Sequence, residues 1–227
     1  MLCVIPARKG SKRLPGKNLL SIGGCSLVER TVSQAIESGV FTSIVFSSDD
    51  SHALEMARAF DIDVRRRSDE LSGDNVRAVE VVRELMNTED YHSESAAMLL
   101  FITAPFRTAA DIKAASAKLE AGYDSVLSIT RSPEPPQFSL MKRDDDVVPM
   151  MSYDFFRKTT KKQALEPTFH PNFAIQAATR EVLETYNGFM GDHCGFVEIP
   201  PERSVDIDTA LDVKWAEFLI ESGEVSA

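Results

Sequence analysis

The chain has 227 residues, 43% hydrophobic and 26% charged, with a formal net charge of -10 and a mean hydropathy of -0.15; that is room for one large domain with a real core. Such acidity argues against a nucleic-acid binder, whose domains carry a basic face, and no stretch approaches the roughly 18 apolar residues of a membrane span. Arg8 ends the first apolar run too early for a leader peptide. Three scattered cysteines without a CxxC pair argue against a disulfide framework or a zinc site and for a reducing cytoplasm.

Residues 2–5 (LCVI) read as a strand. The spacing of Leu27, Val28, Val32, Ala35 and Ile36 predicts a helix over 26–38, opened by a Ser26/Glu29 capping box and stopped by Gly39. A strand over 43–47, a helix over 51–60 and a short strand around Val64 follow. A helix over 76–86 turns Val79, Val82, Leu85 and Met86 inward, and residues 96–102 form the most apolar strand. Next come a helix over 109–121 and a strand over 125–130. Strands with continuous apolar runs, alternating with helices, predict an α/β fold: a Rossmann-like, mostly parallel sheet covered on both faces, in one domain spanning 1–227.

The regularity breaks over 132–171, which holds Pro133, Pro135, Pro136, Pro149, Pro167 and Pro171. A segment this long without a period does not belong as a bare loop in a compact domain. It is expected to be an arm that packs on a partner chain, or a lid, and its methionines and phenylalanines favour packing over disorder. The core pattern resumes with a strand over 173–177, a helix over 180–186, a strand over 195–199 and a helix over 209–221.

Chemistry concentrates at the two ends of the chain. The first 28 residues hold Arg8, Lys9, Lys12, Arg13 and Lys17 and no acidic residue. They fall in the segment ARKGSKRLPGKN (7–18), directly after the first strand and therefore at the carboxyl edge of the sheet, where open α/β folds bind ligands. Gly10 and Gly16 let backbone approach a ligand, and the amides and cations can neutralise a triphosphate. A cationic loop is otherwise a solvated surface; its position and the acidity of the rest favour phosphate. Five residues separate Gly10 from Gly16, and Asn18 stands where Ser or Thr belongs, so this is not a Walker motif.

Near the other end, SVDIDTALD (204–212) places Asp206 and Asp208 two apart, on one face of an extended chain. Such a pair offers oxygen ligands to Mg²⁺ while leaving room for phosphate. The alternative is that one of them simply caps the next helix. A Cys–His nucleophile at His193 and Cys194 has no partner pattern behind it.

Residues 7–18 resemble the N-terminal signature of the acylneuraminate cytidylyltransferases, approximately A-R-x-G-S-K-x-x-P-x-K-N, and 206–212 match the D-I-D-T-x-x-D pattern of the same family. RSDELSGD (67–74) resembles R-P-x-E-L-A-x-D, SSDD (47–50) resembles S-T-D-D, and LLFITAPFR (99–107) resembles L-L-Q-P-T-S-P-F-R. The resemblance implies transfer of CMP from CTP to the anomeric hydroxyl of an acidic nine-carbon sugar, with release of pyrophosphate. The fold implied is of the nucleotide-diphospho-sugar transferase type. It implies catalytic roles for Arg8, Lys12 and Lys17, and nucleotide contacts from Arg8, Gly10, Ser11, Lys12, Lys17, Asn18 and Arg67. Mg²⁺ would sit on Asp206 and Asp208, and the arm would exchange between the subunits of a homodimer. Arg67 competes with a plainer reading as one of three surface arginines, Arg65 to Arg67, and the aspartates of SSDD are expected to shape a turn.

The sugar half departs from the pattern. Phe101 stands for a glutamine and Ile102 for a proline. HPNFAIQ (170–176) replaces R-P-N-G-A-I-Y, so that His170 stands for arginine, Phe173 for glycine and Gln176 for tyrosine. Phe101, His170, Asn172 and Gln176 are the sugar-binding positions the resemblance implies, and their changes point to a substrate with more apolar substituents than N-acetylneuraminate. A KDO-type cytidylyltransferase, suggested by Leu14-Pro-Gly-Lys17, and a nucleotide-binding regulatory subunit without turnover, suggested by Phe101 and Phe173, are the alternatives.

Overall fold

The computed structural model describes residues 1–11, 13–158, 161 and 165–226. Its elements in chain order are β1 (Leu2–Ala7), β2 (Ser21–Ile22), β3 (Cys25–Ser26), α1 (Leu27–Ser38), β4 (Ser43–Ser48), α2 (Ser51–Ala57), β5 (Asp63–Arg66), α3 (Ala78–Met86), β6 (Ala96–Leu99), α4 (Ala109–Glu120), β7 (Ser125–Arg131), β8 (Leu140–Arg143), β9 (Asp146–Pro149), α5 (Tyr153–Lys158), β10 (Phe169–Thr179), α6 (Arg180–Tyr186), β11 (Cys194–Glu198) and α7 (Ala210–Glu221). Seven strands form one sheet in the order β11-β7-β10-β6-β1-β4-β5. All pair in parallel except β10, which runs antiparallel to both β6 and β7.

Alternation along β1 shows how the core is divided. Cys3, Ile5 and Ala7 face a layer made by α1, α2, α4 and α7, whereas Leu2 and Val4 face α3 and α6. Both faces are therefore apolar, and the strands read as continuous hydrophobic runs. Local signals hold the helices. The Ser26 side chain accepts from the Glu29 amide and Gly39 ends α1 at φ 63°. Thr108/Asp111 and Thr209/Asp212 form reciprocal capping boxes at the starts of α4 and α7.

Several boundaries differ from those the sequence suggests. β6 stops at Leu99 because the chain bends through Phe101 to Thr103, although Leu100 and Ile102 stay buried. β10 begins at Phe169 and contains Pro171, whose missing N–H falls where the pairing with β7 is interrupted. Its reversed direction follows from its connection. Parallel neighbours need a crossover, whereas β7 returns through the arm beside itself. The Gly23-Gly24 turn, with φ 60° and 78°, closes a small β2–β3 hairpin that the periodicity did not suggest.

The segment expected to be aperiodic has structure of its own. A β8–β9 hairpin is followed by α5, and Phe138 meets Phe155 and Phe156 at ring-centroid separations of 6.3 and 6.1 Å. Its base is closed by the pairing of Arg131 with Phe169 and by the Ser132 amide donating to the Thr168 carbonyl at 2.8 Å. Leu140, Val147, Met150, Met151 and Tyr153 are exposed on it. Among the described residues no helix is long and apolar enough to cross a membrane, and Cys3, Cys25 and Cys194 are free thiols.

Candidate active site

A cleft of about 870 Å³ opens at the carboxyl edge of the sheet. The loop after β1 supplies Arg8, Ser11, Arg13, Lys17 and Asn18; the end of β5 adds Arg67; the segment before α7 adds Asp206 and Asp208; the bend after β6 contributes Phe101, and β10 contributes Phe173 and Gln176. Of the positions singled out from sequence, Arg8, Ser11, Lys17, Asn18, Arg67, Phe101, Gln176, Asp206 and Asp208 thus share one cavity. Lys12 lies outside the described residues. His170 faces a separate cavity of about 490 Å³ at the root of the arm, with its Nδ1 3.0 Å from Ser132 Oγ. Asn172 is buried away from the cleft.

The cationic loop is fixed by its neighbours rather than by its own packing. Gly16 takes φ 72°, which lets Lys17 to Leu19 form one 3-10 turn. Within that turn Asn18 is buried and its Nδ2 donates to the Arg8 carbonyl at 2.7 Å. The turn after β4 braces the other side. Asp49 accepts from the Lys9 amide at 2.7 Å, Asp50 caps α2 by accepting from the His52 amide at 3.0 Å, and Ser48 Oγ donates to the Ala7 carbonyl. At Gly10 an added Cβ would meet no atom within 4 Å, so the loop faces open space there.

Charge is distributed asymmetrically. Arg8 donates to Asp74 at 2.6 Å. Arg67 is buried while Arg65 and Arg66 are exposed, and it is held by the Ser47 carbonyl at 3.0 Å. Burial first, and the positive charge of Arg8 after it, push its pKa down despite Asp49. A guanidinium in that state gains from an anion nearby.

Along 205–208 the burial alternates: Val205 and Ile207 enter the core, so Asp206 and Asp208 project together toward the cleft. The Ile207 amide ties this segment to the Thr103 carbonyl at 2.8 Å. Asp208 accepts from Lys17 Nζ at 3.0 Å and from Arg13 at 2.6 Å. The carboxyl of Asp206 is raised above the usual range, mainly by desolvation and further by the charge of Asp208, while a hydrogen bond with Thr103 works the other way. Helix capping is done by Thr209 and Asp212, which leaves Asp206 and Asp208 to the cleft.

Under the cleft floor lies Arg107, 1% exposed. Burial pulls its pKa down to about 10, and its Nη1 reaches the carbonyls of Phe101, Ala104 and Ala174 at 2.6, 3.1 and 3.2 Å. Arg13, Asp74, Thr103, Arg107 and Phe173 are at or under the cleft although the sequence assigns none of them a binding role. Arg13 is visible as one more cation and Phe173 as a departure from a glycine, while Asp74, Thr103 and Arg107 lie in the resembling segments 67–74 and 99–107 without a role being assigned to them. His193 stacks on Tyr123 at 4.4 Å and belongs to no nucleophile pair among the described contacts.

A doubly covered α/β sheet with a cationic glycine loop after its first strand, facing paired carboxylates, places the chain in the class of nucleotide-binding α/β proteins. Residues 2–154 match the family model described as cytidylyltransferase, and the chain belongs to that family. It is 30% identical over 215 residues to the N-acylneuraminate cytidylyltransferase of Streptococcus agalactiae serotype V, covering 93% of this chain and 51% of that protein. The chain therefore spans about half the length of the first curated relatives it matches. It is 27% identical over 231 residues to the pseudaminic acid cytidylyltransferase of Campylobacter jejuni, covering 100% of this chain and 98% of that one. In structure it is similar to a CMP:2-keto-3-deoxy-manno-octonic acid synthetase complexed with CTP, with TM-score 0.70 at 16% identity over 98% of both chains.

Proposed function

We propose that this protein transfers CMP from CTP to the anomeric hydroxyl of an acidic nine-carbon sugar of the sialic, legionaminic or pseudaminic type. The observation that carries the reading is the single cleft holding both the cationic loop and the Asp206/Asp208 pair. The names of the relatives support the same substrate class.

In this reading the anomeric oxygen forms a bond to the α-phosphorus as the bond to the β-phosphate oxygen breaks, and the hydroxyl proton is released. Arg8, Lys17 and Arg67, together with Lys12 on the strength of the sequence resemblance alone, bind the triphosphate and stabilise the negative charge on departing pyrophosphate. The loop amides around Gly10 and Ser11 orient the phosphates, and Asn18 holds the loop through the Arg8 carbonyl. Phosphoryl chemistry of this kind rests on positioning and electrostatics.

The carboxylates also fit Mg²⁺: they are two hard oxygen donors, and the one raised by burial and by its neighbour's charge would be relieved by a dication. Asp206 and Asp208 would hold it, and it would offset charge on the phosphate oxygens. A homodimer built through the arm is supported by the apolar side chains exposed there. Three free thiols fit a reducing cytoplasm.

The test is pyrophosphate release from CTP with a panel of eight- and nine-carbon sugar acids. Turnover with a nine-carbon acid is expected. Preference for the eight-carbon acid, or no turnover with any, would reject this reading.

A further inference from the structure

Opposite the single β7 residue Ser128, four residues of β10, numbers 172–175, bulge out between the pairs Pro171–Ile129 and Gln176–Leu127. At the crest stands Phe173 with φ 57°, in the left-handed region that a bulky side chain occupies only at a cost. Its neighbours Asn172 and Ala174 are buried, whereas its ring is 52% exposed and lines the cleft. The strain is therefore not repaid by core burial.

Five polar contacts impose this conformation. Ser128 Oγ accepts from the Ile175 amide at 2.8 Å and donates to Asn172 Oδ1 at 2.5 Å. The same Oδ1 accepts from the Ala174 amide at 3.3 Å, and Asn172 Nδ2 donates to Ser204 Oγ at 2.7 Å. Arg107 donates to the Ala174 carbonyl, and also to that of Phe101. One buried guanidinium thus anchors the backbones under both aromatic residues. A conformation so over-determined, at a cleft, is the pattern in which strain serves a site.

The sheet order says which part of the site is served. Arg8, Lys17 and Arg67 follow β1 and β5, while Phe101 follows β6 and Phe173 lies in β10, on the other side of β1, with Asp206 and Asp208 joined to the Thr103 loop. Phosphates on the cationic side put the acceptor against the aromatic side. We infer that Phe173 is a specificity-determining residue: its ring, held outward by the bulge, covers an apolar substituent of the acceptor sugar acid, an acyl methyl or a deoxy carbon. A hydroxyl in that place would be left unpaired against the ring. This inference rests on the proposed transfer to a sugar acid.

The experiment uses Phe173→Gly and Phe173→Asn in the full chain, both side chains being at ease at positive φ. Melting temperature is measured, with KM for CTP and for acceptor pairs that differ only as acylamino or deoxy against hydroxyl at one carbon. Expected are melting at or above that of the parent, unchanged KM for CTP, about a tenfold rise in acceptor KM, and collapse of the preference within each pair. An active parent whose variants keep acceptor KM and preference overturns the assignment of Phe173 alone. A raised KM for CTP does the same by moving the ring to the nucleotide, and lower melting of both variants shows it to be packing. A parent that binds CTP calorimetrically but transfers to no acid on the panel overturns the transfer reading and this inference with it.

Discussion

Lys17 and Asp208, 191 residues apart in sequence, meet at 3.0 Å and join the first loop of the chain to the segment before its last helix. Lys17 is largely enclosed there, with Asp208 more open and also facing Arg13.

That contact makes Lys17→Ala the most direct test of the cationic loop. Removing one charge-assisted phosphate contact is worth about 1.5–3 kcal/mol, roughly ten- to a hundredfold in turnover. The melting temperature should change little, because the pair it loses is partly solvated. Steady-state kinetics on a sample of parental stability checks this; kinetics like those of the parent would remove Lys17 from the site.

Asp208→Asn separates metal from nucleotide. Turnover should fall by two or more orders of magnitude, while CTP binding measured by calorimetry without metal stays close to that of the parent. EDTA should silence the parent and excess Mg²⁺ restore it. Undiminished activity in EDTA would sink the metal assignment.

Asp206 makes a prediction in pH. Its carboxyl is raised in the folded state, so folding favours its protonated form, and its ionisation opposes folding at any pH above its folded pKa. Asp206→Asn should therefore raise the melting temperature of the ligand-free protein at pH 7. The gain should shrink on acidification and vanish below the ordinary carboxylate range, about pH 3.9, where both states are protonated. Activity should be lost throughout. A variant that melts lower at pH 7 contradicts this account.

The arm predicts an assembly. Light scattering of the full chain should give a dimer, and Val147→Asp, at a position 62% exposed in one subunit, should shift it toward monomer without unfolding the core. A monomeric parent would falsify the exchanged-arm reading.

Where sequence signals are local, they carried the reading. Ser26 and Gly39 bound α1, Thr209 opens α7, and the alternation at 205–208 places two aspartates on one face. Signals that depend on strand order did not survive compression into one dimension. The reversal of β10 follows from the arm's return beside β7, and Pro171 reads as a breaker until it is seen at an interruption of the ladder. Arg67 is picked out by the resemblance of 67–74, against a plainer reading as one of three surface arginines, and its burial sets it apart from Arg65 and Arg66. Asn172 and His170 show the same limit: one turns inward to Ser128 and Ser204, the other toward the arm. Nothing near Arg107 in sequence announces that its guanidinium reaches Ala174, 67 residues further on.

The closed base of the arm has a consequence for how the chain tolerates change. Arg131 and Phe169 are paired neighbours, and the next amide, that of Ser132, is satisfied by Thr168. What lies between those two residues enters and leaves the sheet at one point, so its length is not a parameter of the seven-stranded register. Lengthening such a loop costs only about 0.6 kcal/mol per doubling. The arm is thus a graft site, where a longer, shorter or foreign segment can be carried while the strands beneath keep their alignment.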